Sequence, residues 1–534
     1  MRKGTLCLIL LSSVVMAAGM TTPGSCMETE NGPPPAFNSA MAFAVLTYGG
    51  FEEDSKEIGR TPSARPIVIP PCELWYVDPI GGQPMEKVVQ ELKGKGVPGL
   101  ELPRDATDDD LLRAIKGLSG LQMLDFHSTK VTDAGLAHLE GLSGLKVLDL
   151  SFTEVTDAGL AHLEGLKAMR ELRLACTEIR DTGLEHLKGL TGLQALCLFS
   201  TKVTGPGLAH LKGLTGLQTL DLSETEVTDA GLAHLEGLTG LHRLILTKTQ
   251  VTDAGLVHLE KLTGLHTLHL SDTQVTGAGL KHLKGLTGLK TLDLSETQLT
   301  DSGMKHLKGL TGLQTLHLCQ VQVTDAGLVH LEGLKGVREL NLADTGVTDA
   351  GLAHLEGLKA LRELNLAATQ VKDAGLKHLK GFRDLQTLIL AQDNVTDAGL
   401  KHLDGLTGLQ TLSLVETEVT GPGLVHLRRM AALRELNLWG AKLTDAGLEH
   451  LKGLTGLQWL DLSETQVTDA GLAYLQGLTG LQTLNLRNTQ VTDVGMSHLK
   501  GLTGLQTLLL YGTRVTDAGT AELKKSLPYT GIAR

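Results

Sequence analysis

The stretch Val131-Thr-Asp-Ala-Gly-Leu-Ala-His-Leu-Glu-Gly-Leu142 is one copy of a unit that returns every 24 residues. Its first position is Val, Ile or Leu from Val131 through Val155, Ile179 and Val203 to Val515, seventeen copies with no insertion or deletion. A fixed period of this size marks a stacked solenoid, in which each unit buries its apolar face only against its neighbours. The period therefore overrides the several globular domains that 534 residues would otherwise suggest.

Each copy divides into two halves. Leu121-x-x-Leu124-x-Phe126 has the alternation of a strand that sends its last two apolar side chains inward and the residue between them outward. This half first appears as Val97-Pro-Gly-Leu100-Glu-Leu102 and last as Leu505-x-x-Leu508-x-Leu510, giving eighteen strand segments. The other half reads as a short helix. Thr132 is a good N-cap, whose hydroxyl can accept the N–H three residues on. Asp133 suits the positive end of the helix dipole. Leu136 and Leu139 share one face, and Gly141 is a natural stop. Gly135 has an equivalent in all seventeen copies, which predicts close stacking of neighbouring helices there.

The consensus Leu-x-x-Leu-x-Leu-x-x-Thr-x-Val-Thr-Asp-x-Gly-Leu-x-x-Leu resembles a leucine-rich repeat over roughly residues 97–527. It is similar to the cysteine-containing repeats of F-box substrate receptors and to the 24-residue repeats of bacterial proteins. Thr129, Thr153, Thr177 and Thr201 stand where those receptors usually carry Cys, and Val321, Asp393 and Ala441 depart further. The resemblance implies an α/β solenoid, an arc or superhelix with a parallel β-sheet on its concave face and short helices on its convex face. It also implies a concave surface suited to a protein partner.

Residues 1–19 read as an export signal: Arg2 and Lys3, an apolar run from Leu6 to Ala18, and small residues at Val15/Ala17 or Ala17/Gly19 for cleavage. Lipid anchoring at Cys26 is the alternative. The expected location is extracytoplasmic: periplasmic, cell-surface or secreted. Residues 20–84 are rich in Pro and predict a largely irregular linker, with Ile67-Val-Ile69 and Leu74-Trp-Tyr-Val77 as possible extended pieces. Residues 85–96 predict a capping helix over the open edge of the first strand, and 97–534 the solenoid. No later run reaches the ~18 apolar residues of a membrane helix. There is no Cys-x-x-Cys pair and no zinc-ligand spacing.

The net charge is −12, and no Lys/Arg block occurs, which argues against nucleic acid and anionic membrane as partners. No hydrolase elbow, metalloprotease helix or phosphate loop is present, so neither an enzyme nor a cofactor is expected. Fifteen of the twenty His share one repeat position, from His138 to His498. They suggest a repeated structural hydrogen bond to a neighbouring turn, and their joint protonation predicts a looser stack in acid. The outward strand positions, including Asp125, Asp149, Asp221, Asn341 and Asn437, form a polar, mildly acidic surface. His269, Asp293 and His317 fall in one column beside Asp272 and Glu296, but no ligand spacing beyond the repeat itself supports a metal, and none is assigned.

Two groups break the regularity. Phe152, Cys176 and Phe199 form an apolar patch near the N-terminal end, and Trp439, Trp459, Arg487 and Tyr511 place bulky groups near the C-terminal end. Aromatics and Arg dominate interface energetics, so these seven are the candidate partner-binding residues. The sequence thus reads as an exported protein-interaction scaffold. The alternatives are a substrate-recognition subunit resembling F-box receptors, although no F-box precedes the repeats, and a structural envelope spacer.

Overall fold

A computed structural model describes residues 36–50, 55–63, 65–70, 72, 74–80, 84–118 and 120–534. The export signal and Cys26 lie outside the described residues. The chain forms two compact units, one ending at Val275 and one beginning at Thr276.

The first unit opens with strands where the sequence suggested an irregular linker. Strand β1 (Ala36–Phe37) pairs antiparallel with β4 (Ile67–Val68). Strand β2 (Phe43–Thr47) lies antiparallel between β3 (Lys56–Thr61) and β5 (Trp75–Pro79). Helix α1 (Met85–Leu92) follows, burying Met85, Val88, Val89 and Leu92. It packs beside the first repeat helix, α2 (Asp108–Gly117). The edge of the first repeat strand, β6 (Gly99–Glu101), is covered by β5, which pairs parallel with it at Val77 and Leu100. The edge is therefore protected by a strand, and α1 sits in the helical layer. Strands β7 (Met123–Asp125), β8 (Val147–Asp149) and β9 (Glu171–Arg173) continue the parallel sheet. Four more strands complete the unit, ending at Thr267–His269.

The second unit is a parallel sheet from Thr291–Asp293 to Thr507–Leu509 in the same 24-residue register. A further strand, Gly531–Ala533, pairs with Thr507–Leu509 and is not announced by the repeat pattern. Its neighbour Arg534 donates to the Val515 carbonyl at 3.1 Å and pairs with Asp517 at 2.6 Å.

In every repeat the consensus Leu and Val side chains are buried, so the core is a thin aliphatic layer between sheet and helices. After the strand the backbone enters the left-handed region at fifteen residues that are not glycine, from Ser128 (φ 59°) to Asn488 (φ 54°). That conformation is costly for a residue with a Cβ. It recurs because it lets the N–H of Ser128 reach the Ser151 carbonyl of the next rung at 2.9 Å. The following Thr129 then tucks its hydroxyl onto the Phe126 carbonyl at 2.8 Å.

The helical half is a single α-turn, Asp133–Leu136, that tightens into a 3-10 turn, Ala137–Leu139. Thr132 does accept an N–H, but from Ala134, two residues on, at 3.3 Å. Asp133 does more than complement a dipole. Its two oxygens accept the N–H and O–H of Thr156 in the next repeat at 2.7 and 2.6 Å. The same clamp joins Asp325 to Thr348 and Asp469 to Thr492. The invariant glycine follows from it: a Cβ on Gly183 would lie 2.5 Å from Asp157 Oδ1, and one on Gly327 2.6 Å from Asp301 Oδ1. In the copies where Gly205 and Gly421 replace the Asp, the glycines of the next copies, Gly231 and Gly447, instead approach that backbone directly.

Candidate functional site on the sheet face

The outward face of the sheet has three side-chain columns: the residue before each central Leu, the residue between the two Leu, and the residue after the second. The middle column, read from sequence as acidic binding surface, is largely engaged internally. Asp149, Asp221, Asp293, Asn341 and Asn437 each accept the backbone N–H two residues on, at 2.8 to 3.0 Å. These bonds support the left-handed turn that follows each strand. Asp149, Asn341, Asp461 and Asn485 are buried as a result. His317, from the column considered for a metal, is held by Glu339 at 2.7 Å. Burial pulls the Glu339 carboxyl up, but the hydrogen bond and charge of His317 together with the Thr315 hydroxyl hold it below its ordinary range. Among the described residues no group of three or more His, Cys, Asp or Glu could hold a metal ion.

The N-terminal candidates fall on three successive rungs. Phe152 and Cys176 both occupy the left-handed position, at φ 59° and 53°. Their amides donate to Ala175 and Phe199 of the following rung, each at 2.8 Å. Phe152 is 51% exposed and meets the His127 ring edge-on at 5.1 Å, while Cys176 and Phe199 are half-buried.

The C-terminal candidates span four adjacent strands, Glu435–Asn437, Trp459–Asp461, Thr483–Asn485 and Thr507–Leu509. Trp439, Arg487 and Tyr511 share the third column, with the small, buried Ser463 between Trp439 and Arg487. Trp459 stands in the first column of the same strand as Ser463. The Arg487 guanidinium lies 5.8 Å from the centre of the Tyr511 ring, and Tyr511 is 58% exposed. Beneath them burial pushes the Asp461 carboxyl up, against donation from Ser463 N at 2.8 Å and Asn485 Nδ2 at 2.7 Å. The floor is thus hydrogen-bonded and fixed, and the bulky groups stand out from it.

Residues 157–400 match a leucine-rich repeat region, 431–490 and 455–515 match a leucine rich repeat, and 144–163 match another repeat of this kind. The chain is a leucine-rich repeat protein. An internalin of Listeria monocytogenes shares 24% identity with a TM-score of 0.49, over 62% of this chain and 93% of the internalin. A leucine-rich repeat protein of Leptospira interrogans shares 22% with a TM-score of 0.49, over 80% of this chain and all of that one. No curated protein matches. Within this repeat protein the sequence reading missed one site-shaping element. The segment after β2 lies on the sheet face, where Arg173 donates to the Tyr48 hydroxyl at 3.2 Å and the Gly50 carbonyl at 2.9 Å. Leu46 and Tyr48 pack against Leu74, Tyr76, Met123 and Val147.

Proposed function

We propose that this is an exported, bacterial-type scaffold that binds a protein partner through its sheet face. The Trp439, Trp459, Arg487 and Tyr511 group is the main contact, and Phe152, Cys176 and Phe199 a second one. The observation that carries the reading is the Arg487–Tyr511 stack, exposed above a polar floor whose hydrogen bonds are already made. The floor has little side-chain freedom left to lose on association, which favours binding through the groups above it. Nearby residues of the same column are small and buried, as at Ala391, Val415 and Ser463. Among the described residues no helix is long and apolar enough to cross a membrane.

Affinity capture of the intact protein against its Trp439→Ala/Trp459→Ala/Tyr511→Ala variant, with matched circular dichroism, tests the contact. Selective loss of a captured protein supports it, and identical captured proteins overturn it. Cell fractionation with N-terminal sequencing of the mature chain tests export: a cytosolic chain beginning at Met1 sinks that part alone.

A further inference from the structure

We propose that the helical side of the second unit carries an oxyanion site, built from Lys281, Lys284, Lys305, Lys308, His306 and His330, that takes a ligand with two neighbouring phosphate groups. The repeat itself supplies the template. In six copies a carboxylate 22 residues earlier meets the histidine Nδ1 at 2.6 to 3.0 Å, from Glu140 on His162 to Asp404 on His426. An oxyanion at that point of the repeat is therefore something the fold already accommodates. In two successive copies the acid is replaced by Lys284 and Lys308, which face His306 and His330. No group of the chain takes the carboxylate's place on His330, whose Nδ1 is buried without a hydrogen-bond partner. A buried polar atom left unpaired is costly, and an incoming oxyanion would satisfy it.

The lysines gather at the same point. Lys281 lies in the 3-10 turn Gly279–Leu283 with Lys284 just after it, and Lys305 and Lys308 lie in Lys305–Gly309. They repeat 24 residues apart, so they form a cluster in the fold without forming a Lys/Arg block in the sequence. All four are exposed, and among the described residues none of them forms an ion pair. The two carboxylates that border the site are engaged: Asp301 by the N–H and O–H of Thr324, each at 2.7 Å, and Glu332 by His354 at 2.8 Å. Burial, then Lys305 and Lys281, hold His306 below its ordinary value, so lysines of neighbouring copies act on one imidazole. Four ammonium groups around two seats exceed the charge of two carboxylates. A phosphate monoester carries about two negative charges at neutral pH and suits them better.

Isothermal titration calorimetry of the full chain with sodium pyrophosphate, at pH 7 and low salt, tests the site. The intact protein is expected to bind. Lys308→Glu places a carboxylate of the chain's own in the seat and should lose at least about tenfold in affinity. Glu332→Lys opens the next seat along and should bind at least about threefold more tightly, a gain that misfolding cannot produce. Lys130→Glu makes the same charge change as Lys308→Glu in the first unit and should bind as the parent does. Sedimentation with phosphatidylcholine vesicles, with and without phosphatidic acid, separates the sources of phosphate. Capture that Lys308→Glu abolishes assigns a lipid headgroup, and pyrophosphate binding without capture assigns a soluble ligand. No binding by the intact protein in either arm, equal affinity in parent and Lys308→Glu, or an equal loss in Lys130→Glu overturns the proposal.

Discussion

Asp133 accepts both the N–H and the O–H of Thr156, one repeat ahead, at 2.7 and 2.6 Å. Thr-Asp-x-Gly is therefore a joint between copies: the Asp of one grips the Thr of the next and takes the space that a side chain on the next Gly would need. In a solenoid each unit is held only by such neighbour contacts. The joint between Asp325 and Thr348, at 2.8 and 2.6 Å, is a clean place to measure it. A double-mutant cycle of Asp325→Ala and Thr348→Ala, read by urea unfolding, is expected to give a coupling of about 1–3 kcal/mol. Additive effects would show that the joint contributes shape and no net stability.

The left-handed turn makes a prediction of opposite sign. Ala368 holds φ 56° with a side chain too small to make compensating contacts beyond its own methyl. Left-handed backbone costs an L-residue about 1–2 kcal/mol, and a glycine gives back about 0.5–1 kcal/mol in unfolded-state entropy. Ala368→Gly should therefore raise stability by about 0.5–1 kcal/mol. A lower unfolding midpoint for this variant would show that the turn is not strained.

The parts that were legible in the sequence are those carried by period. Val131, Leu136 and Leu139 recur, so strand, turn and helix follow from one copy. The Asp–Gly complementarity was hidden because its partners, such as Asp301 and Gly327, belong to different copies. The turn was hidden because the residues in it, among them Phe152, Glu224 and Lys248, are not those that favour positive φ. The strands before the repeats were hidden because a Pro-rich stretch carries no period. Their signal lay in the sheet instead. Gly99, Met123 and Val147 are apolar in the first column, where Glu171, Thr219 and Arg243 are not. A Cβ on Gly99 would lie 2.6 Å from that of Tyr76, so the strand there already accommodates a cover. The C-terminal patch was legible as residue types, while its fixed floor of Asp461, Ser463 and Asn485 required the structure.

The histidine column answers to whatever stands 22 residues before it. Glu140, Glu164 and Glu332 meet the Nδ1 of His162, His186 and His354 at 2.6 to 2.8 Å. Where Lys308 takes that place, burial first and then the lysine hold His330 below its ordinary value. His234, His306 and His402 are lowered too, again with burial first and lysine after. A histidine lowered in the folded state contributes stability above its ordinary value of about 6.5 that is lost as pH falls through the folded value. Loosening in acid is thus expected from the lysine-facing members. Lys308→Glu should convert one member and raise the unfolding midpoint at pH 5.5 relative to pH 8. The gain should be a few tenths of a kcal/mol, as suits a partly exposed pair. Equal pH profiles for variant and parent would exclude the pairing.

Asp393 sits where most repeats carry Thr, and it is 2% exposed. Its Oδ1 accepts from the amide and hydroxyl of Thr369 at 2.9 and 3.0 Å, while its Oδ2 has no hydrogen-bond partner. Burial raises the carboxyl to about 7, against the lowering pull of those two donors. A carboxyl raised on folding favours the native state most below its ordinary value of 3.8 and loses that contribution as pH rises through about 7. At about 1.36 kcal/mol per pH unit, the loss is at most about 4 kcal/mol. Asp393→Thr restores the hydroxyl that elsewhere donates to the strand carbonyl, as Thr417 does to Leu414 at 2.7 Å. The variant should be more stable than the parent at pH 8, by about 1–3 kcal/mol once a buried unpaired oxygen is removed. At pH 4.5 the advantage should shrink, because the parent carboxyl is then neutral. Urea unfolding of both proteins across that range decides it, and an advantage independent of pH would mean that Asp393 does not titrate in the folded chain.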